Sequence, residues 1–592
     1  MSQVEDRTQN VPEDDDYIDV FKYLRHRGIV PLVSDALDKA KRLFDVPDLA
    51  DVQGDSLFIF PKASSNHTPK AHSEAFKLSL QNFKPTSSQD VKEELYRIGV
   101  EKRKAKMAGR KAEWIKFKQY QIAFSRTGLY ILGINEDTGD ARFDKRRMRD
   151  DRVFLGDQGK WDDLFDKPNF DEKNGSAKDV DDPNALHGVI IIAGDSIASC
   201  EEATVEARHI FGQSIAIPDG GIVAGKAREG DNRGHEHFGY KDGISQPSIR
   251  GIDYTLRGQI EVDPGVIVMG YHGDPVPSRP KWTKDGTMMV FRKLEQSVVS
   301  FEKYLKDNGP RWKEFFPGGK EAADKLDPPL RPDEAAELFG ARLVGRWKSG
   351  APIALAPIRD DRALGDDAKM NNRFDYVVKN VSGVSPLAPS DYYCPFTAHI
   401  RKTAPRNLDP YVSRQYLESG SIIRAGIPYG EEVTQAERDA EKDSEEEKWK
   451  RGLLFVCYAS HLDSGFVRQT TGYGNNDFFP ITGLTPVNHG QDPIIGGPPP
   501  KGSSGNQRDA KLEPSDPDNP LKDYVDGDQV NIKLEIPGDS LNRFEVFGHV
   551  RVRPLTQAPP PGVPNPFFVT SRGGEYFFVP SIPTLKSWAN SQ

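Results

Sequence analysis

The sequence predicts an α+β fold, and two observations carry that prediction. Segments with apolar residues at helical spacing alternate with short runs of strand character. Those strand runs differ in exposure, some apolar throughout and some mixed. A parallel sheet covered on both faces would give uniformly apolar strands, so the mixture indicates α+β instead. At 592 residues the chain has room for roughly two to four domains of about 100–200 residues.

Taken in order, residues 1–49 read as a polar lead-in with some helix, as in "VSDALDKAKRLFD". Folded sequence begins at "DVQGDSLFIFPK". "QIAFSRTGLYILG" reads as a strand and turn, and "HGVIIIAGDS" as a buried strand between turn signals. "CEEATVEARHIFG" has helical spacing. A glycine-rich stretch, "HEHFGYKDGISQP" at 235–247, follows. "TMMVFRKLEQ" then reads as a strand and "SVVSFEKYLKDNG" as a helix, with Ser297 as N-cap and Gly309 just past its end. Val298, Phe301 and Leu305 form its apolar face. "PDEAAELFGARLVGRW" is a second helix, and "RGLLFVCYAS" and "RFEVFGHVRVRP" are strands. Three segments read as insertions or loops: "DKPNFDEKNGSAKDVDDPN", "GEEVTQAERDAEKDSEEEKWK" and "GGPPPKGSSGNQRDAKLEPSDPDNP". The second is expected to be a solvated charged helix or a disordered run.

The net charge of −9 argues against nucleic-acid binding, which shows as a basic excess. The longest apolar runs, "GVIIIAG" and "LLFVCYA", fall well short of the ~18 residues of a membrane span. No basic n-region and apolar h-region stand at the start, so a cytoplasmic location is expected, with a mature secreted form left open. Three dispersed cysteines, Cys200, Cys394 and Cys457, make neither a disulfide framework nor a CxxC site.

Several motifs carry chemistry. "GGIVAGKA" nearly matches a phosphate-cradling loop, but Ala227 replaces the hydroxyl that would hold magnesium. It is read as an ordinary glycine loop. Cys394 with His399 would make a thiol nucleophile and base, but no orienting group or oxyanion hole stands nearby. A larger constellation is more informative. A haem iron takes one protein ligand, often a neutral histidine. That histidine usually donates its other N–H to a carboxylate. Peroxide heterolysis then needs a group that moves a proton and a fixed positive charge. The sequence offers His399, Asp492, Asp242 and Arg424 for these four parts.

"FGYKDGISQP" resembles the GxxDG signature of the dye-decolorizing (DyP-type) haem peroxidases. "CPFTAHIRKTAPR" resembles the segment that carries their proximal histidine, and "IIRAGIPYG" their distal-arginine segment. "DVQGD", "IAFSRTGLYILG", "VFRKLEQ", "GLLFVCY", "DPIIG" and "VTSRGGEYFFVPS" match further stretches in the expected order. The likeness covers about residues 50–592 and is strongest to the larger fungal members.

The resemblance implies two ferredoxin-like domains of the dimeric α+β barrel superfamily, at 50–275 and 276–592, after an extension at 1–49. It implies haem b (iron protoporphyrin IX), with His399 as axial ligand and Asp492 as its partner. Asp242 would be the distal acid–base and Arg424 the distal cation. Arg401 would pair with a haem propionate, and His237 would line the access channel or simply pack. Tyr429, five residues after Arg424, would stand near the pocket as an electron relay. The expected activity is reduction of hydrogen peroxide through an oxoferryl intermediate, with dyes, phenols and other one-electron donors oxidised. A haem carrier or sensor, or a deferrochelatase-like protein, is the alternative. One departure stands out: Tyr473, in "TTGYGNNDFF", takes a place where the family often has tryptophan.

Overall fold

The computed structural model describes residues 55–59, 62–63, 69–110, 115–152, 154–157, 161–166, 186–381, 390–406, 408, 412–476, 479–480, 492–496, 529–537, 543–551 and 568–591. The helix expected near residues 33–45 lies outside the described residues, as do all but the first residue of each of the two loops at 166–184 and 496–520.

Nine strands build one antiparallel sheet. They are β1 (Asp55–Ile59), β2 (Lys118–Phe124), β3 (Gly188–Gly194), β4 (Ile222–Gly225), β5 (Thr287–Gln296), β6 (Ile423–Arg424), β7 (Ile427–Tyr429), β8 (Gly452–Ala459) and β9 (Val569–Val579). Their spatial order is β6-β8-β5-β9-β2-β3-β1-β4, with β7 also on β8. The helices that frame it are α1 (Pro69–Asn82), α2 (Ser88–Met107), α3 (Ile197–Phe211), α4 (Val298–Asn308), α5 (Pro332–Val344), α6 (His399–Thr403), α7 (Gln435–Asp439) and α8 (Ile582–Asn590). A π-helix spans Asp463–Gly474.

Two ferredoxin-like units follow from this order. Strands β1–β4, with α1 and α2 after β1 and α3 after β3, lie in the order β2-β3-β1-β4. Strands β5–β9 repeat the pattern, with β6 and β7 sharing the second place. The halves join where Phe578 of β9 pairs with Phe124 of β2. Strand β3, "GVIIIAG", is buried along its whole length. Each such fully buried aliphatic side chain contributes about 1.5–3 kcal/mol. The C-terminal α8 returns to the first half, where Trp588 meets Phe124 edge-on and Ala589 O accepts from Gln81.

The sheet curls until its ends meet. Lys226, just after β4, donates its amide to Pro428 O of β7 at 2.8 Å. Farther along the same seam, His237 Nε2 bonds Tyr429 O at 2.8 Å. The barrel is thus closed by hydrogen bonds within one chain. "GGIVAGKA" forms β4 and this closing contact, which fits the glycine-loop reading.

Two local expectations need correction. "QIAFSRTGLYILG" is not only a strand and turn: before the turn at 132–133, Ser125 accepts from Gly128 N–H and caps a short helix, Arg126–Ile131. The charged segment at 430–450 is folded against the protein rather than solvated throughout. Thr434 and Glu437 close a capping box on α7. The Glu437 carboxylate is buried and takes two bonds from Arg451, each 2.9 Å. Asp443 accepts from the amides of Val299 and Ser300 and so caps α4. Ser297 holds the N-cap position there but makes no side-chain cap bond. The carboxylates of this segment serve helix N-termini, where orphan N–H groups favour negative charge. Among the described residues, no helix is long and apolar enough to cross a membrane.

Candidate active site

Asp242 sits in a loop whose path needs left-handed backbone. Gly239 and Gly243 have φ of 91° and 82°, angles that cost an L side chain energy and glycine little. A buried carboxylate shapes the loop from within. Glu236 accepts from the amides of Phe238 (2.9 Å) and Tyr240 (2.8 Å) and from Gln296. Burial raises its pKa, and the Asp242 charge raises it further. The sequence reading missed Glu236, although it stands inside the motif.

Arg424 lies on β6 opposite Cys457 of β8. Its Nη1 donates to Asp242 Oδ1 at 3.0 Å and its Nη2 to Ile244 O at 3.1 Å. Both side chains of the pair are 31% exposed. The guanidinium and the carboxylate, 182 positions apart, are therefore brought together.

His399 opens α6. Its Nδ1 lies 2.8 Å from Asp492 Oδ2. Asp492 is buried, and its other oxygen accepts from the amides of Ile494 (2.8 Å) and Ile495 (3.1 Å). With Nδ1 so engaged, Nε2 is the free ligand position of the ring. Among the described residues it has no hydrogen-bond partner. Lys402 anchors α6 by donating to Asn476 O at 2.6 Å and to Phe479 O. Burial pushes the Cys394 thiol up to about 11, so it is no thiolate nucleophile.

The turn at 345–350 lies between these two pairs. A Cβ on Gly345 (φ 93°) would stand 2.4 Å from Ile400 of α6, and one on Gly350 (φ 98°) 2.6 Å from Ile244. Arg346 and Arg406 add a polar link. Both guanidinium groups converge on Ser245 Oγ and Asn372 Oδ1, at 2.7–3.3 Å. The segment after His399 is thereby tied to the Asp242 loop. Sequence reading gave no sign of this link, because four chain-distant residues make it.

Arg401 is not beside the imidazole. Two positions along a helix lie on opposite sides, and its guanidinium is held 4.1 Å from the ring centres of both Tyr376 and Phe396. Its Nη1 donates to Ser390 O at 2.8 Å. With Arg346 and Arg406 it makes a buried positive cluster, and burial lowers the pKa of all three. Among the described residues none of them is ion-paired with a carboxylate. Nε of Arg401 and of Arg406 is buried without a partner. Buried charge calls for a counter-charge. A carboxylate-bearing macrocycle whose iron takes an imidazole fits both the cluster and His399. Arg401 would then act by its charge, from behind the aromatic rings.

Tyr429 is misplaced by the sequence reading. Arg424 pairs with Cys457 and Tyr429 with Gly452 in one unbroken register. The five positions between them span about 17 Å of strand. An odd separation also puts the two side chains on opposite faces. Tyr429 belongs to the same core cluster as Ile423, Ala425 and Ile427, and among the described residues its buried hydroxyl has no hydrogen-bond partner. His237 is buried too. Tyr473 is buried and stacked on Phe479, with ring centres 4.0 Å apart.

Two ferredoxin-like halves closed into one barrel are the architecture of the α+β barrel class of haem peroxidases. Residues 51–228 match the family model of the DyP dimeric alpha+beta barrel domain. The chain is 36% identical over 467 residues to a dye-decolorizing peroxidase of Auricularia auricula-judae, covering 78% of this chain and 74% of that one. It is 37% identical over 478 residues to a dye-decolorizing peroxidase of Mycena epipterygia, covering 79% and 75%. The solved structure of an ancestral D-type dye decolorizing peroxidase superposes with a TM-score of 0.67 at 34% identity, over 91% of this chain and 96% of that one. The chain belongs to the dye-decolorizing peroxidase family, and it is a haem-dependent peroxidase.

Proposed function

We propose that this peroxidase uses haem b to reduce hydrogen peroxide and oxidises dyes, phenols and other one-electron donors. His399 would hold the haem iron through Nε2 with Asp492 as its partner, while Asp242 and Arg424 would act on the peroxide. The observation that carries this reading is the Arg424–Asp242 pair, 3.0 Å apart and accessible. A haem carrier or sensor needs His399 alone and gives that pair no task. A relative of similar fold, 31% identical with a TM-score of 0.61, was solved with 2,6-dimethoxyphenol, which supports phenols as donors. The three cysteines are buried and far apart, which supports a haem held without thioether bonds.

The haem, when bound, supplies the iron at which peroxide is reduced. Asp242 takes the proton from the inner peroxide oxygen and gives it to the outer one, an acid–base role worth about 10²–10⁴ in rate. Arg424 offers a fixed positive charge to the negative charge that develops as the O–O bond lengthens. Its bonds to Asp242 and Ile244 place that charge before reaction. Asp492 holds the Nδ1 proton of His399 and so keeps the Nε2 lone pair free for the iron.

The test is spectroscopic. The purified protein is expected to show a Soret band that shifts within seconds of peroxide addition and returns when a phenol is added. A protein that takes up no haem, or whose Soret band ignores peroxide, overturns the reading.

A further inference from the structure

The seam of the barrel is built by the site itself. On β6, Arg424 belongs to an edge. The neighbouring Ala425 amide donates to Val456 O of β8 at 2.8 Å, while the peptide groups of Arg424 point outward, off the sheet. One side chain meets both of them. Gln246 Oε1 accepts from the Arg424 amide at 3.1 Å, and Gln246 Nε2 donates to the Arg424 carbonyl at 2.8 Å. A primary amide carries one acceptor and a donor side by side, so Gln246 takes the place of a missing strand at one rung. It is buried, and its own carbonyl accepts from Gln259 at 2.9 Å.

We propose that Gln246 is a positioning residue that aligns Arg424 with Asp242. The inference rests on the role given to Arg424 under Proposed function. Three residues between 242 and 246 grip the arginine. Asp242 and Ile244 hold the guanidinium, and Gln246 holds the backbone from which it springs. An arginine is long and flexible, so holding only its tip leaves many arrangements open. Fixing its backbone as well makes loop and strand one unit, and the cation cannot drift from the carboxylate. This is orientation in the catalytic sense, where a displacement of about 1 Å can cost about 10²-fold in rate.

The experiment compares Gln246→Leu, which loses both bonds, with Gln246→Glu, which keeps the acceptor and loses the donor. Each is made alone and in an Arg424→Leu background. Three quantities are read in the haem-loaded protein: the second-order rate with peroxide, the thermal midpoint, and deuterium uptake of the peptide spanning 421–429. We expect Gln246→Leu to slow the peroxide reaction about tenfold and Gln246→Glu several-fold, with faster uptake in that peptide. In the Arg424→Leu background the further loss should be under about twofold, while the thermal midpoint falls in both backgrounds alike. A purely structural glutamine would slow both backgrounds equally, and that result overturns the proposal. So does faster exchange with an unchanged rate. If Arg424→Leu itself reacts normally, the arginine's role fails first, and that failure is visible without any glutamine variant. Should Gln246→Leu not fold, the near-isosteric Gln246→Glu carries the test.

Discussion

His399 Nδ1 and Asp492 Oδ2 lie 2.8 Å apart although 93 positions separate them in the chain. Asp492 is held by the amides of Ile494 and Ile495, so the carboxylate is fixed before the ring meets it. The histidine thus presents Nε2 in one orientation. Replacing His399 with alanine is expected to deplete haem, and Asp492→Asn to weaken its retention about 10–100-fold. Absorbance of the purified variants at the Soret band, against protein, measures this.

Asp242→Asn and Arg424→Leu are each expected to slow the reaction with peroxide by at least about 10²-fold. Haem content should stay normal, since neither residue bonds His399. Stopped-flow mixing with peroxide reads the rate. Unchanged rates in both variants would remove the proposed chemistry. A loss in the arginine variant alone would demote the carboxylate.

The Glu437–Arg451 pair should make the protein sensitive to strong acid. Burial acts to raise the Glu437 pKa, but the paired bonds from Arg451 and those from Thr434 and Ser444 outweigh it and bring it down to about 2. The folded value lies below the unfolded one. Its stabilisation is therefore complete above about pH 4.5 and lost as pH falls towards 2. Arg451→Met leaves a buried carboxylate unpaired and should destabilise by about 3 kcal/mol at neutral pH. Denaturant unfolding at pH 7 and pH 3 compares the two effects.

His237 should act in a milder pH range. Burial, aided by the Arg228 charge, lowers its pKa to about 4. A histidine depressed in the folded state binds its proton first when unfolded. Stability from this group is full above about pH 6.5 and falls between there and pH 4, by up to roughly 3 kcal/mol. His237→Gln removes the titration and should flatten the stability profile over that interval. An equally steep profile in the variant would assign the effect elsewhere.

Tyr429→Phe should change little in function. Among the described residues the buried hydroxyl has no hydrogen-bond partner, so removing it should alter stability by less than about 1 kcal/mol, in the stabilising direction. Turnover of a bulky dye and of a small phenol should both match the parent. A selective loss with the dye would restore the relay.

Much of this protein is legible in its sequence by itself. Strand and helix periods are local, so "GVIIIAG", "TMMVFRKLEQ" and "SVVSFEKYLKDNG" declare their elements. The glycines of "GYKDG" declare a turn, because only certain backbone angles can follow that path. The ordered motifs pick out His399, Asp492, Asp242 and Arg424. What the tertiary structure decided is contact between distant segments. Closure of the barrel brings Gln246 onto the edge of β6 and His237 onto Tyr429. It lets the charged segment at 430–450 bury Glu437 and cap α4 through Asp443. Tertiary packing also sets the Arg401 guanidinium between Tyr376 and Phe396. The physical reason is range. A helical or strand period involves neighbours a few residues apart, whereas a hydrogen bond at the seam depends on how two separately folded halves meet.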